Sequence, residues 1–105
     1  MNQEANALLE SLLDSLLNDF HHWFKRGQEL LAACPDSVLT PDDREAMGVR
    51  IDEGLKAIAA TRALVSATPA AMAISMEAMT PWHQLVIEIW GLAARVSEAN
   101  AKQSL

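Results

Sequence analysis

The residues of this chain best equipped for chemistry fall in one run, Asp19-Phe20-His21-His22-Trp23-Phe24-Lys25-Arg26. On a helix, Asp19, His22 and Arg26 stand about one turn apart along a single edge, next to Trp23. A carboxylate, an imidazole and a guanidinium so arranged form a candidate polar site, able to pass a proton or hold an anion. The same spacing also gives the ion pairs of an ordinary solvated helix rim. His83, in Pro81-Trp82-His83, completes the candidate set. One reading makes it a core-edge residue with a single hydrogen bond, Asp19 or Glu88 being available as partners. The other makes it the ligand of a pigment or haem held among helices, with Trp82 and Trp90 beside it.

Metal and nucleophile chemistry find less support. His21 and His22 are adjacent, so their side chains diverge by about 100° on a helix and cannot chelate one ion together. The sequence has no Cys-x-x-Cys, His-x-x-x-His or Glu-x-x-His spacing. The single cysteine, Cys34, falls near a helix C-terminus, where the dipole disfavours a thiolate. Gly27 and Gly54 occur singly inside apolar helical stretches, unlike a phosphate-binding loop. They point instead to close helix approach or to room for a tryptophan ring. No catalytic residue, metal ligand or cofactor is expected.

The elements that must position these residues are helices. Alanine, leucine and methionine, all good helix formers, dominate the composition, and tyrosine is absent. Three Thr-Pro pairs, at 40–41, 68–69 and 80–81, each offer an N-cap followed by a first-turn proline. Asp42 and Asp43 suit the positive end of the helix that follows the first pair. The pattern predicts helices over 4–33, 41–66, 70–78 (short) and 81–101, with Pro35 ending the first and 34–40 as the one real loop. The fold class expected is all-α: an antiparallel bundle of three long helices plus one short helix, in a single domain over residues 1–105.

Apolar spacing supports this. Leu9, Leu13, Leu16, Phe20, Trp23, Gly27 and Leu30 mark one face of the first helix, flanked by Leu12, Leu17, Phe24 and Leu31. Met47, Ile51, Gly54, Ile58, Thr61 and Val65 do the same for the second helix. Trp82, Val86, Ile89, Ala93 and Val96 do so for the last. Phe20, Trp23, Ile58, Trp82, Val86 and Ile89 are the expected core. The last helix carries a second apolar line, Ile87, Trp90 and Ala94, which one partner face cannot cover. Together with Met72 and Met76 of the short helix, this line is the expected partner or dimer interface.

Fourteen acidic against eight basic residues give a net charge of −6, and residues 1–24 contain no lysine or arginine. That balance repels nucleic acid and anionic membrane surfaces. The first apolar stretch has no basic residue before it, as a secretion signal would require. The longest uncharged run, Ala63 to Met76, is too short to span a bilayer. One unpaired cysteine suits a reducing, cytoplasmic setting.

Two boxes, Asp19-Phe20-x-x-Trp23-Phe24-x-Arg26 and Pro81-Trp82-His83-Gln84-Leu85-Val86-x-Glu88-x-Trp90, resemble a family of short cyanobacterial proteins classed as a domain of unknown function. The resemblance covers most of the chain. It implies a cytoplasmic protein of a photosynthetic bacterium and brings no activity, cofactor or site residue. The function expected from the residues is a non-catalytic helical interaction module, a self-associating adaptor or regulator. Its partner is a second copy or another protein. The alternative is a small-molecule or pigment-binding bundle using His83, Trp82 and Trp90.

Overall fold

A computed structural model of the chain describes residues 2–67 and 79–103. These form three helices: α1 over Asn2–Ala33, α2 over Pro41–Ala67 and α3 over Thr80–Gln103. Among the described residues there is no strand. α3 corresponds to the last predicted helix. The short helix expected over 70–78, with Met72 and Met76, lies outside the described residues.

Helix boundaries follow local chemistry. Thr40 caps α2: its Oγ1 accepts the Asp43 backbone N–H at 3.1 Å, and its carbonyl accepts that of Arg44 at 2.9 Å. Pro41 is then the first helical residue, where its missing N–H costs nothing. Pro35 follows the end of α1, and its carbonyl accepts from the N–H groups of Val38 and Leu39 in the turn. α1 runs unbroken across Gly27.

The order of contacts gives the helix directions. As α1 is followed back from Gln28 to Phe24 to Asn18, the partners on α2 advance from Asp52 to Gly54 to Arg62. The two helices therefore run in opposite senses. From Phe20 to Gly27 the partners on α3 advance from Trp82 to Ile89, so α1 and α3 run in the same sense. α1 packs closely against both neighbours, while α2 and α3 touch each other least. The particle measures 60 × 25 × 19 Å.

Two glycines set how closely the helices approach. A Cβ at Gly54 would stand 2.5 Å from Cε2 of Phe24, so the ring of α1 lies directly on the backbone of α2. A Cβ at Gly27 would stand 2.8 Å from Ile89 Cδ1 and 2.9 Å from Ile51 Cδ1, which makes Gly27 the meeting point of all three helices. Of the two readings of these glycines, close helix approach is the one seen, and the ring seated on Gly54 is that of Phe24 rather than a tryptophan.

Phe20, Ile58, Val86 and Ile89 are buried as expected, joined by Leu17, Phe24, Leu31, Ile51, Leu85, Leu92 and Val96. Trp23 and Trp82 are half-buried and pack on this core from its rim, in keeping with how rarely an indole is fully enclosed. Leu17, Phe24 and Leu31, which the spacing places on the flank, are buried along with Phe20 and Leu30 of the stripe itself. The reason is that α1 has a neighbour on each side: Phe24 and Leu31 face α2 at Gly54 and Gly48, Phe20 and Trp23 face α3 at Trp82 and Trp90, and Gly27 meets both.

Candidate protein-interaction surface

On the outer side of α1 and α3 three rings form a chain. Trp23 meets Trp90 edge-on, with centroids 5.5 Å apart and planes at 79°. His22 meets Trp23 in the same way at 5.3 Å. Such T-shaped contacts place a ring edge against a π face, the favoured arrangement for aromatic pairs. Trp90 nonetheless keeps 49% of its surface exposed, Ile87 keeps 62%, and Ala94 is exposed as well. Around Gly91 there is open space: a Cβ there would meet nothing within 4 Å. The second apolar line of α3 is therefore a real exposed strip, continued onto α1 through Trp23.

A second aromatic group lies further along α3 toward its start. Phe20 is edge-on to Trp82 at 5.4 Å and to His83 at 4.9 Å, and it stands 6.2 Å from Phe24. His83 is exposed on its outer side and shares Phe20, not Trp90, as its ring neighbour.

The chain matches the family described as "Protein of unknown function (DUF2605)" over residues 3–98. It belongs to that family. No curated protein and no solved structure matches it. The DUF2605 match takes in α1, α2 and most of α3, so both aromatic groups lie within the family's span.

Among the described residues no hydrogen bond or ion pair joins the candidate polar residues of this DUF2605 chain, Asp19, His22, Arg26 and His83, to one another. Arg26 turns along its own helix to Glu29, 3.0 Å away, and both are exposed. His22 is engaged with Trp23, Asp19 is exposed, and His83 sits on the face of α3 that meets Phe20. Among the described residues no group of three His, Cys, Asp or Glu side chains is close enough to hold a metal ion. No described helix is long and apolar enough to cross a membrane.

Several polar contacts that tie elements together come from arginines that no motif or spacing in the sequence singles out. Arg50 of α2 and Glu88 of α3 form a two-pronged pair, at 2.8 and 2.5 Å, across the loosest of the three interfaces. The Glu88 carboxyl is held below the usual carboxylate range, chiefly by hydrogen bonding to Arg50, with partial burial opposing. Two further arginines hold the 34–40 loop. Arg44 donates to the Cys34 carbonyl at 2.8 Å and to Asp36 at 2.7 Å, and Arg95 donates to the Val38 carbonyl. These carbonyls lie at and just beyond the end of α1, where no helical N–H remains to satisfy them. Cys34 is buried beneath this clamp, its thiol donating to the Pro35 carbonyl at 3.5 Å. Open grooves flank the Arg50–Glu88 pair, one by Met47 and Leu92, the other by Gly54 and Trp82.

Proposed function

We propose that this chain is a non-catalytic protein–protein interaction module, and that it self-associates through the outer line of α3. On this reading the domain is an antiparallel helical bundle acting as a rigid carrier in the cytoplasm, with Ile87, Trp90 and Ala94 presented to a second copy. The observation that carries the reading is the exposure of Ile87 and Trp90, at 62% and 49%, side by side on a helix whose other face is fully used in the core. Tryptophan is a frequent interface anchor. A contiguous exposed patch of large apolar side chains on a soluble domain marks an interaction site, and two-fold pairing is the commonest way to cover one.

Light scattering at micromolar concentration tests this directly. The wild-type chain is expected to be a dimer, and Trp90→Glu to be a monomer with an unchanged helical circular-dichroism spectrum. A wild-type chain that stays monomeric, with Trp90 emission typical of a water-exposed indole throughout, overturns the reading.

A further inference from the structure

We propose that the first half of α1 is a docking site for a basic amphipathic helix of another protein. It is a surface separate from the outer line of α3 and independent of self-association there. The apolar stripe of α1 has two halves. From Phe20 onward it is covered by α3: Phe20 by Trp82, Trp23 by Trp90 and Gly27 by Ile89. Because α1 and α3 run in the same sense and α3 begins at Thr80, just before Trp82, the stripe of α1 before Phe20 extends past the start of α3. The exposures follow this offset. Leu8 is 62%, Leu9 50% and Leu12 56% exposed, Leu13 and Leu16 are half-buried, and Phe20 is buried. The stripe keeps its direction while its cover stops. Leu9, Leu12 and Leu16 thus present the three- and four-residue spacing that packs helix on helix.

Charge says what kind of helix would fit. Residues 1–24 contain Glu4, Glu10, Asp14 and Asp19 and no lysine or arginine. On a helical projection, at about 100° per residue, Asp19 falls in the arc of the exposed leucines and Glu4 just beside it, while Glu10 and Asp14 lie toward the opposite face. A second copy of the same segment would bring like charges together, which is unfavourable across a helix pair. A helix with leucine-type residues on one face and lysine or arginine beside them meets the stripe with its apolar side and Glu4 and Asp19 with its cations, the arrangement of a helix-in-groove complex. Such a match speeds encounter and selects among partners, and it weakens as salt is added.

The test uses the full chain and two labelled synthetic peptides of about 18 residues, roughly five turns. Both carry leucine at positions i, i+3, i+4 and i+7; one has lysine on both margins and the other glutamate. Fluorescence anisotropy is expected to show the lysine peptide binding at least about tenfold more tightly than the glutamate peptide at low salt, the ratio shrinking as salt rises. Leu9→Ser and Leu12→Ser should each weaken binding several-fold without altering helicity, since both side chains are exposed. Glu4→Lys with Asp19→Lys should abolish the preference for lysine. Trp90→Glu should leave it intact, which keeps this surface distinct from the dimer face. Equal affinity for both peptides, or none for either, overturns the proposal. So does binding lost in Trp90→Glu but kept in Leu12→Ser. Two other occupants would show themselves: Leu12→Ser converting a dimer to a monomer would assign the stripe to a second copy. Methyl nuclear Overhauser contacts from Leu9 or Leu12 to Met72 or Met76 in the free chain would assign it to residues 68–78. Either result refutes a docking site for a partner.

Discussion

The four glycines divide into two kinds, and alanine substitutions should separate them in sign. In a helix interior, Gly→Ala gains about 1 kcal/mol from propensity alone. At Gly48 the nearest atom to a new Cβ is Leu31 Cδ1 at 3.8 Å, an ordinary contact, and at Gly91 there is nothing within 4 Å. Both substitutions should therefore raise stability by about 1 kcal/mol, or about 4–8 °C in melting temperature for a domain of this size. At Gly54 the same methyl would stand 2.5 Å from Cε2 and 3.0 Å from Cδ2 of Phe24. Carbon atoms rest at about 3.5–4.0 Å, so the ring would have to retreat by about 1 Å. Phe24 has no exposed surface, and close-packed interiors do not yield such a shift freely. Overpacking of this kind costs about 1–3 kcal/mol, enough to cancel the propensity gain or exceed it. The expected order of urea midpoints, at unchanged slope, is Gly48→Ala and Gly91→Ala above wild type, with Gly54→Ala at or below it. Gly54→Ala combined with Phe24→Leu should recover part of the loss, a favourable coupling visible in a double-mutant cycle. If Gly54→Ala stabilises as much as Gly48→Ala, the close approach of α1 and α2 is wrong. A Gly91→Ala value differing from Gly48→Ala only at high protein concentration would report on the neighbouring dimer face.

Three further outcomes are expected. Phe20→Ala removes a buried ring in contact with Phe24, Trp82 and His83 and should cost about 3–5 kcal/mol in chemical denaturation; an unchanged midpoint would mean that α1 has been rotated wrongly. Arg95→Met should speed hydrogen exchange at the 34–40 loop, whose Val38 carbonyl it holds, and leave exchange at the centre of α1 unaltered. Glu88 has a folded pKa below its unfolded value, so its contribution is present above the unfolded pKa and fades as pH falls through the folded one. Wild type should lose about 0.2–1 kcal/mol relative to Glu88→Gln between neutral and strongly acidic pH, the small size reflecting an exposed pair, and high salt should shrink the difference.

What the sequence made legible is what depends on neighbours along the chain. The Thr40-Pro41 cap, the stop at Pro35 and the length of α1 follow from hydrogen-bond demands within one or two turns. Long, strongly periodic helices declare themselves for the same reason. The pairs that tie the helices together were not legible, because Arg50 and Glu88 sit 38 positions apart and Arg95 and Val38 57 apart. No local rule distinguishes these arginines from Arg26, which does nothing more than pair with Glu29 one turn on. The aromatic run 19–26 left two readings open, a polar site or a solvated rim. Its residue types suit chemistry, but in the fold Arg26 pairs with Glu29 and His22 packs on Trp23, while the rings of Phe20, Trp23 and Phe24 serve three different contacts.

The apolar stripes show the same division in a form that bears on function. Spacing alone found the line from Leu9 to Leu30, and it found the second line on α3. Which part of a line is covered depends on the axial offset between helices, a tertiary quantity fixed where Gly27 admits Ile51 and Ile89. With that contact set, Phe20 falls under Trp82, and every α1 leucine more than a turn earlier is left beyond the start of α3. The contact at Gly27, in the last quarter of α1, thus sets the offset that leaves Leu8, Leu9 and Leu12 beyond the start of α3. An alanine at Gly27 would push Ile51 and Ile89 away, and its effect should reach beyond stability. Exposure at Leu12 and Trp90, read by methyl and indole resonances, should change together in Gly27→Ala; a shift confined to residues touching Gly27 would refute the idea that this contact sets the offset.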